Sequence, residues 1–209
     1  MERVRRVLIC AALVFSVGVQ AQWAWRGPLI YPEKLWSDID LMRSMIHQVH
    51  PDPYRYHTRV EIDRLFEALK DSVRRPMDEE GFINTMLPVL NACGDANMRL
   101  DRDETSAAAL EHTTPLIPFS VRVIDGELYL DAELKGFRSL PVGARVLSIN
   151  GASSERIVQR IGSLITTDGA NETLRWRTME RWFPQLHLRA IDASERYVVK
   201  VDSSGTELE

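Results

Sequence analysis

The sequence predicts an α+β fold, a small helical bundle followed by a β-rich half that carries two further helices, and three observations predict it. Between residues 33 and 100, apolar side chains recur at steps of three and four, the period of one helix face. Near residue 115 the period drops to two, and β-branched residues gather on either side of Asp125-Gly126, a dipeptide suited to a two-residue hairpin turn. Capping and chain-breaking residues stand at each change of pattern, so the elements have marked ends.

The first helix is read over 33–49, EKLWSDIDLMRSMIHQV, where Leu35, Ile39, Met42, Ile46 and Val49 share a face. It ends before HPDPYRY, because Pro51 and Pro53 forbid continuation. Thr58 and Glu61 have the spacing of a capping box for a second helix, whose face is Ile62, Leu65, Phe66, Leu69 and Val73, and Pro76 marks its stop. Asp78 is the N-cap of a third, with Phe82, Met86, Val89 and Cys93 aligned and Gly94 supplying the exit. Pro88 inside that pattern predicts a kink. Helices this short are marginal alone, so the stripes must bury against one another.

In the second half, PFSVRVIDGELYL reads as two strands around the Asp125-Gly126 turn, and Arg145 to Ile149 as a third strand leading into a turn at Asn150-Gly151. Ser154 opens a helix with Ile157, Ile161 and Leu164 on one face. A further helix begins near Asn171 and carries Trp176, Met179, Phe183 and Leu186 at helical spacing. Trp176, Met179, Trp182 and Phe183 read as core, or alternatively as surface meant for a neighbouring domain. RYVVKV is the last full strand, DSSG a turn, and residues 203–209 a truncated strand or tail. The organisation is therefore a helical domain at 33–100, a linker at 101–114 and an α+β domain at 115–202.

Residues 1–21 read as an address. MERVRR is a positive start, VLICAALVFSVGV an apolar core too short to span a bilayer, and VQA a small-residue cleavage site. The expectation is an exported protein, periplasmic or extracellular, with no stable membrane anchor after cleavage. Removing three arginines and one glutamate moves the formal charge from −4 to −6, which disfavours nucleic acid as a partner. Only Cys93 remains, so no internal disulfide can form and the fold must rest on its core.

Candidate chemistry is sparse. The sequence holds neither a Gly-x-Ser-x-Gly elbow nor a Ser-x-x-Lys pair, and Lys34, Lys70, Lys135 and Lys200 are scattered. His47 and His50 lie three apart, with Asp52 and His57 close by, but no Cys ligands or His-Glu-x-x-His pattern accompany them. Histidine near a helix C-terminus has an electrostatic reason to be there, so no metal and no cofactor are expected.

The stretch VHPDPYRYHTRVEIDRLFEALKDSVRRPMDEEGF, followed by CGDANMRL, resembles the N-terminal helical region of exported serine peptidases of the tail-specific, or C-terminal-processing, family. LPVGARVLSINGAS resembles the matching part of their PDZ-like domain. The resemblance implies a PDZ-like fold for 115–202 and peptides or unfolded protein C-termini as partners. Such domains add an extended peptide beside a sheet edge, here between the strand with Phe119 and Val121 and the helix with Ile157, Ile161 and Leu164; the other reading makes these five plain core.

Relatives of this type commonly carry Gly-Asp-Gly-His-Thr-Arg-Leu after the third helix. Gly94, Asp95, Arg99 and Leu100 match, while Asn97 stands at the histidine position and Met98 at the threonine position. An amide cannot act as a general base near neutral pH. The family's nucleophilic serine and its activating lysine belong to a catalytic α/β domain that comes after the PDZ-like region, and that domain is absent from these 209 residues. The resemblance thus implies a non-catalytic N-terminal portion of such a peptidase, inactive alone and at most presenting peptide. The alternative is a self-sufficient secreted peptide-binding or adaptor protein of the same ancestry.

Overall fold

A computed structural model describes residues 27–100, 115–133, 141–203 and 205–208. The signal peptide read at 1–21 and the linker read at 101–114 lie outside the described residues. Three helices come first: α1 (Pro32–Val49), α2 (Arg59–Ser72) and α3 (Glu79–Ala92). Their ends are set by local chemistry. Pro32 opens α1, where its missing N–H costs nothing, and the chain turns extended at His50 before Pro51. At α2 the Thr58 hydroxyl accepts the Glu61 N–H at 3.3 Å and the Glu61 carboxylate accepts the Thr58 N–H at 2.7 Å, the reciprocal box read from sequence. The Asp78 carboxylate accepts the Gly81 N–H at 2.8 Å at the start of α3.

The stripes meet, except that Val49, read on the α1 face, is 71% exposed, and Leu90 joins the α3 face. Leu35 and Ile39 of α1, Ile62 and Phe66 of α2, and Met86 and Leu90 of α3 are all at most 2% exposed and form one apolar core. Each such burial stabilises by roughly 1.5–3 kcal/mol before ordering costs. Outside the helices, Ile30 and Met77 exchange backbone hydrogen bonds of 2.8 and 3.1 Å, which fastens the start of the described chain to the α2–α3 connection.

The β region contains β1 (Phe119–Ile124), β2 (Glu127–Glu133), β3 (Arg145–Ile149), β4 (Ala152–Ser153), α4 (Ser154–Ser163), α5 (Glu172–Ala190), β5 (Val199–Ser203) and β6 (Thr206–Leu208). The sheet is antiparallel in the order β1-β2-β3-β5-β6, with β4 folded back on the end of β3. Asp125 and Gly126 both have positive φ, 52° and 80°, so the hairpin uses the turn whose twist matches its strands. Asn150 (φ 47°) extends this logic. Its side-chain oxygen accepts the Val198 N–H at 2.8 Å while its own N–H bonds Val198 O at 2.9 Å, so the turn after β3 is tied to the residue entering β5.

Helices α4 and α5 bury Ile157, Ile161, Met179 and Phe183 against the sheet residues Val121, Leu128, Val146, Ile149 and Val201. Helix α3 remains helical from Glu79 to Ala92 through Pro88. Helix α5 is the one that breaks: Trp182 leaves helical geometry (φ −119°, ψ 22°) two residues before Pro184. The break leaves Met179, Phe183 and His187 inside while Trp182 is 47% exposed, so the aromatic cluster divides between core and surface.

Two main apolar clusters result, one in the helical region and one in the β region, and a smaller third joins them. Ile83 and Leu87 of α3 pack with Leu164 at the end of α4. Polar ties cross the same seam: Arg189 pairs with Glu80 at 2.6 Å, and the Asn84 amide donates to Arg189 O at 3.1 Å.

Candidate functional site

The seam brings Gly94–Leu100, the segment after α3, against the α4–α5 connection. Gly94 ends α3 with φ 75°, a left-handed conformation that glycine adopts without a Cβ penalty. A Cβ there would also lie 2.7 Å from the Tyr56 ring. Tyr56 therefore fills the space that the missing side chain leaves.

Asp95 organises the turn beyond Gly94. Its Oδ1 accepts the Asn97 backbone N–H at 2.7 Å and the Asn97 side-chain amide at 3.0 Å, and its Oδ2 accepts from His50 Nε2 at 2.7 Å. The bond from the Asn97 N–H, aided by His50 and by the Asn97 amide, holds the Asp95 carboxyl below its ordinary range despite partial burial. Nδ1 of His50 accepts the Asp52 N–H at 3.2 Å, so the hydrogen sits on Nε2 and the ring donates to Asp95. Both ring nitrogens are thereby committed. Asn97 and Arg99 are exposed.

His47 belongs to a different network. Its Nε2 bonds Asp63 Oδ1 at 2.8 Å, its Nδ1 bonds the Tyr54 hydroxyl at 2.8 Å, and Arg43 joins Asp63 at 2.7 Å. Burial pushes the Asp63 carboxyl up, and the bonds from His47 and Arg43 outweigh it, leaving the carboxyl below its ordinary range. The two histidines thus serve separate acids, and among the described residues no three His, Cys, Asp or Glu side chains converge on one point. Their work is to pin the HPDPYRY turn to α1, α2 and the 94–100 segment.

An apolar cavity of about 280 Å³ opens beside this corner, with Met42, Met45, Val49, Leu90 and Met98 among its walls and Arg99 at its side. Among the described residues, the serine hydroxyls that form hydrogen bonds do so with backbone groups, with Gln48 or with Asp192, none with a histidine, and the buried Ser154 hydroxyl has no partner. The Cys93 thiol donates to Val89 O, and burial pushes it up to about 11, so it is no thiolate near neutral pH. The corner can bind through hydrogen bonds and apolar contact. It contains no nucleophile paired with a base.

The five residues assigned to a peptide groove are interior. Phe119, Val121, Ile157 and Ile161 are at most 4% exposed in the β-region core, and Leu164 sits in the seam. Helix α5 packs along β1, and the Glu180 carboxylate accepts the Val123 N–H at 2.9 Å on the side of that strand away from β2, where no other described strand pairs. Arg122 and Arg177 flank Glu180. Sequence reading missed Glu180, Tyr56, Thr166 and Asp168. Only the glycines that accommodate Tyr56 left a trace in the sequence, and a glycine does not name its neighbour.

No family model and no curated protein matches the sequence. The fold is similar to part of CPAF: mature CPAF and a serine-to-alanine CPAF mutant each match with TM-score 0.53 and 12% identity over 85% of this chain. Mature CPAF complexed with lactacystin matches with TM-score 0.52 and 13% identity over the same share. The chain spans about one third of the length of those structures, 33–34%. At this identity the likeness is one of fold.

Proposed function

We propose that this chain is the non-catalytic N-terminal portion of an exported serine peptidase of the tail-specific type. The fold likeness to CPAF, a serine protease, over one third of that protein supports the relation, and the motif resemblance supports the branch. The carrying observation is the corner itself. Asp95 uses Oδ1 to hold both the backbone and the side chain of Asn97, so the position where relatives carry histidine is occupied by a fixed amide. That amide donates and accepts hydrogen bonds and takes up no proton, which leaves the corner able to orient a group but not to activate one.

On this reading 115–202 is a PDZ-like unit, and peptide presentation runs through the backbone edge of β1 rather than through side-chain pockets, since those side chains are core. The export signal at 1–21 is part of the proposal, checked by sequencing the N-terminus of the secreted product.

The test uses purified residues 22–209 and its Asn97→His variant, incubated with unstructured peptides of varied C-termini and monitored by mass spectrometry. Neither protein is expected to cleave, because an imidazole at 97 acts only on a nucleophile held within its reach, and among the described residues no serine hydroxyl is paired with a histidine. Cleavage by the unmodified chain, abolished by changing one of its own serines, overturns the reading.

A further inference from the structure

The 94–98 turn is not shaped by the helical region alone. Three consecutive backbone N–H groups are engaged there. Asn97 N–H goes to Asp95 Oδ1, Met98 N–H to Asp95 O at 3.2 Å, and Ala96 N–H crosses the seam to Asp168 Oδ1 at 3.0 Å. Two more bonds cross with it: the Thr166 hydroxyl donates to Met98 O at 2.9 Å, and Gly169 N–H donates to Gly94 O at 3.0 Å. Tyr56 closes the joint. A Cβ at Gly94 would lie 2.7 Å from its ring and one at Gly169 2.8 Å, so one aromatic ring touches two glycines with positive φ, one on each side of the seam.

The α4–α5 connection is itself held rigid. Thr167 is fully buried, and its hydroxyl donates to Gly169 O at 3.0 Å while accepting from the Arg175 guanidinium at 3.1 Å. The Asn171 N–H bonds Asp168 O at 3.2 Å, and the Asn171 side chain caps α5 through the Leu174 N–H. The connection is therefore a template, and the 94–98 turn is laid on it.

We propose that Asp168, Thr166 and Tyr56 are positioning residues of the Asn97 corner, acting through the Ala96 amide, the Met98 carbonyl and Gly94 respectively. The corner is thus a composite of both regions: the helical region supplies Asn97 and Asp95, and the β region sets the path of the chain between them and Met98. The functional weight of these three residues rests on the corner's role in the proposed function, but their geometry is independent of any cleavage.

The test is solvent exchange of individual backbone amides by NMR on residues 22–209. In Asp168→Ala the Ala96 amide is expected to exchange faster by on the order of tenfold, while the amides of Phe66 and Leu69 in the α2 core keep their rates. Asp168→Asn retains an acceptor oxygen and is expected to restore most of the protection. Thr166→Val keeps the side-chain shape, removes the donor to Met98 O, and is expected to move the Arg99 amide nitrogen resonance with the α2 core unmoved; it also serves if Asp168→Ala folds poorly. An unchanged Ala96 rate overturns the proposal, as does an equal rise in the α2 core, which would make Asp168 a general stabiliser. Absence of cleavage by every variant leaves the result intact, so failure of this inference and failure of the proposed function are separately visible.

Discussion

His187 makes an acid-sensitive lock inside α5, and replacing it isolates that effect. The residue is fully buried between Phe183 and Tyr197, with ring centroids 5.7 and 5.8 Å away, and among the described residues neither ring nitrogen has a hydrogen-bond partner. Burial lowers its pKa from 6.5 to about 4, with Asp192 opposing weakly. Between those two values the unfolded chain binds a proton that the folded chain refuses, so stability falls as the pH falls; above the unfolded value the residue contributes no pH dependence. A gap of about 2.5 units at 1.36 kcal/mol each gives a loss of about 3 kcal/mol on reaching pH 4. His187→Leu has similar volume, carries no titrating group and leaves no unsatisfied nitrogen, so it should be at least as stable at about pH 7.5 and should lack this loss. The carboxyls lowered by their partners, Asp63 and Asp95, lose stability on acidification in both proteins and cancel in the comparison. Urea unfolding from about pH 7.5 to pH 4 measures the difference. Parallel curves for the two proteins over that range would refute the assignment of a buried neutral imidazole.

Gly94→Ala should destabilise by about 1–2 kcal/mol through its left-handed backbone, with a further penalty from displacing Tyr56; in a Tyr56→Ala background only the backbone part should remain, which a double-mutant cycle in urea resolves. Cys93, buried and with its thiol pushed up to about 11, should resist iodoacetamide in the folded protein at about pH 8 and react once urea unfolds it. Rapid alkylation of Cys93 without unfolding would mean that the α3 face opens to solvent.

Much of the fold was legible because its determinants are local. The Thr58–Glu61 box, the Asp78 cap and the turns at Asp125-Gly126 and Asn150-Gly151 each depend on a few neighbouring residues, and each forms where the sequence places it. The apolar stripes were equally legible, since period and burial are two views of one helix face. The broken α5 was not, although Pro184 is as visible as Pro88. Proline disposes a helix to bend, but where the chain departs from helical angles is decided by what the turns on either side must bury, here Met179 and Phe183 on one and His187 on the next. Nothing local marks His187 for burial, because Tyr197, which closes over its ring, meets it only in the fold.

The corner was legible in composition and illegible in construction, and the reason is distance along the chain. Gly94, Asp95 and Asn97 could be singled out from ten residues, but the groups that hold them come from His50, 45 positions earlier, and from Asp168, 72 positions later than Ala96. No periodicity connects such partners. TTDGAN reads as a plain loop, and the aspartate that meets the Ala96 amide is indistinguishable in sequence from one facing water. The groove assignment met the same limit from the other side. Phe119, Val121, Ile157 and Ile161 have the apolar character that either a peptide groove or a core requires, and in the fold all four are buried, with α5 lying along β1 and Glu180 meeting its edge. A strand added to β1 must therefore displace the Glu180 carboxylate from the Val123 N–H before it can pair there, so any peptide presented by this region competes with a bond the fold already makes.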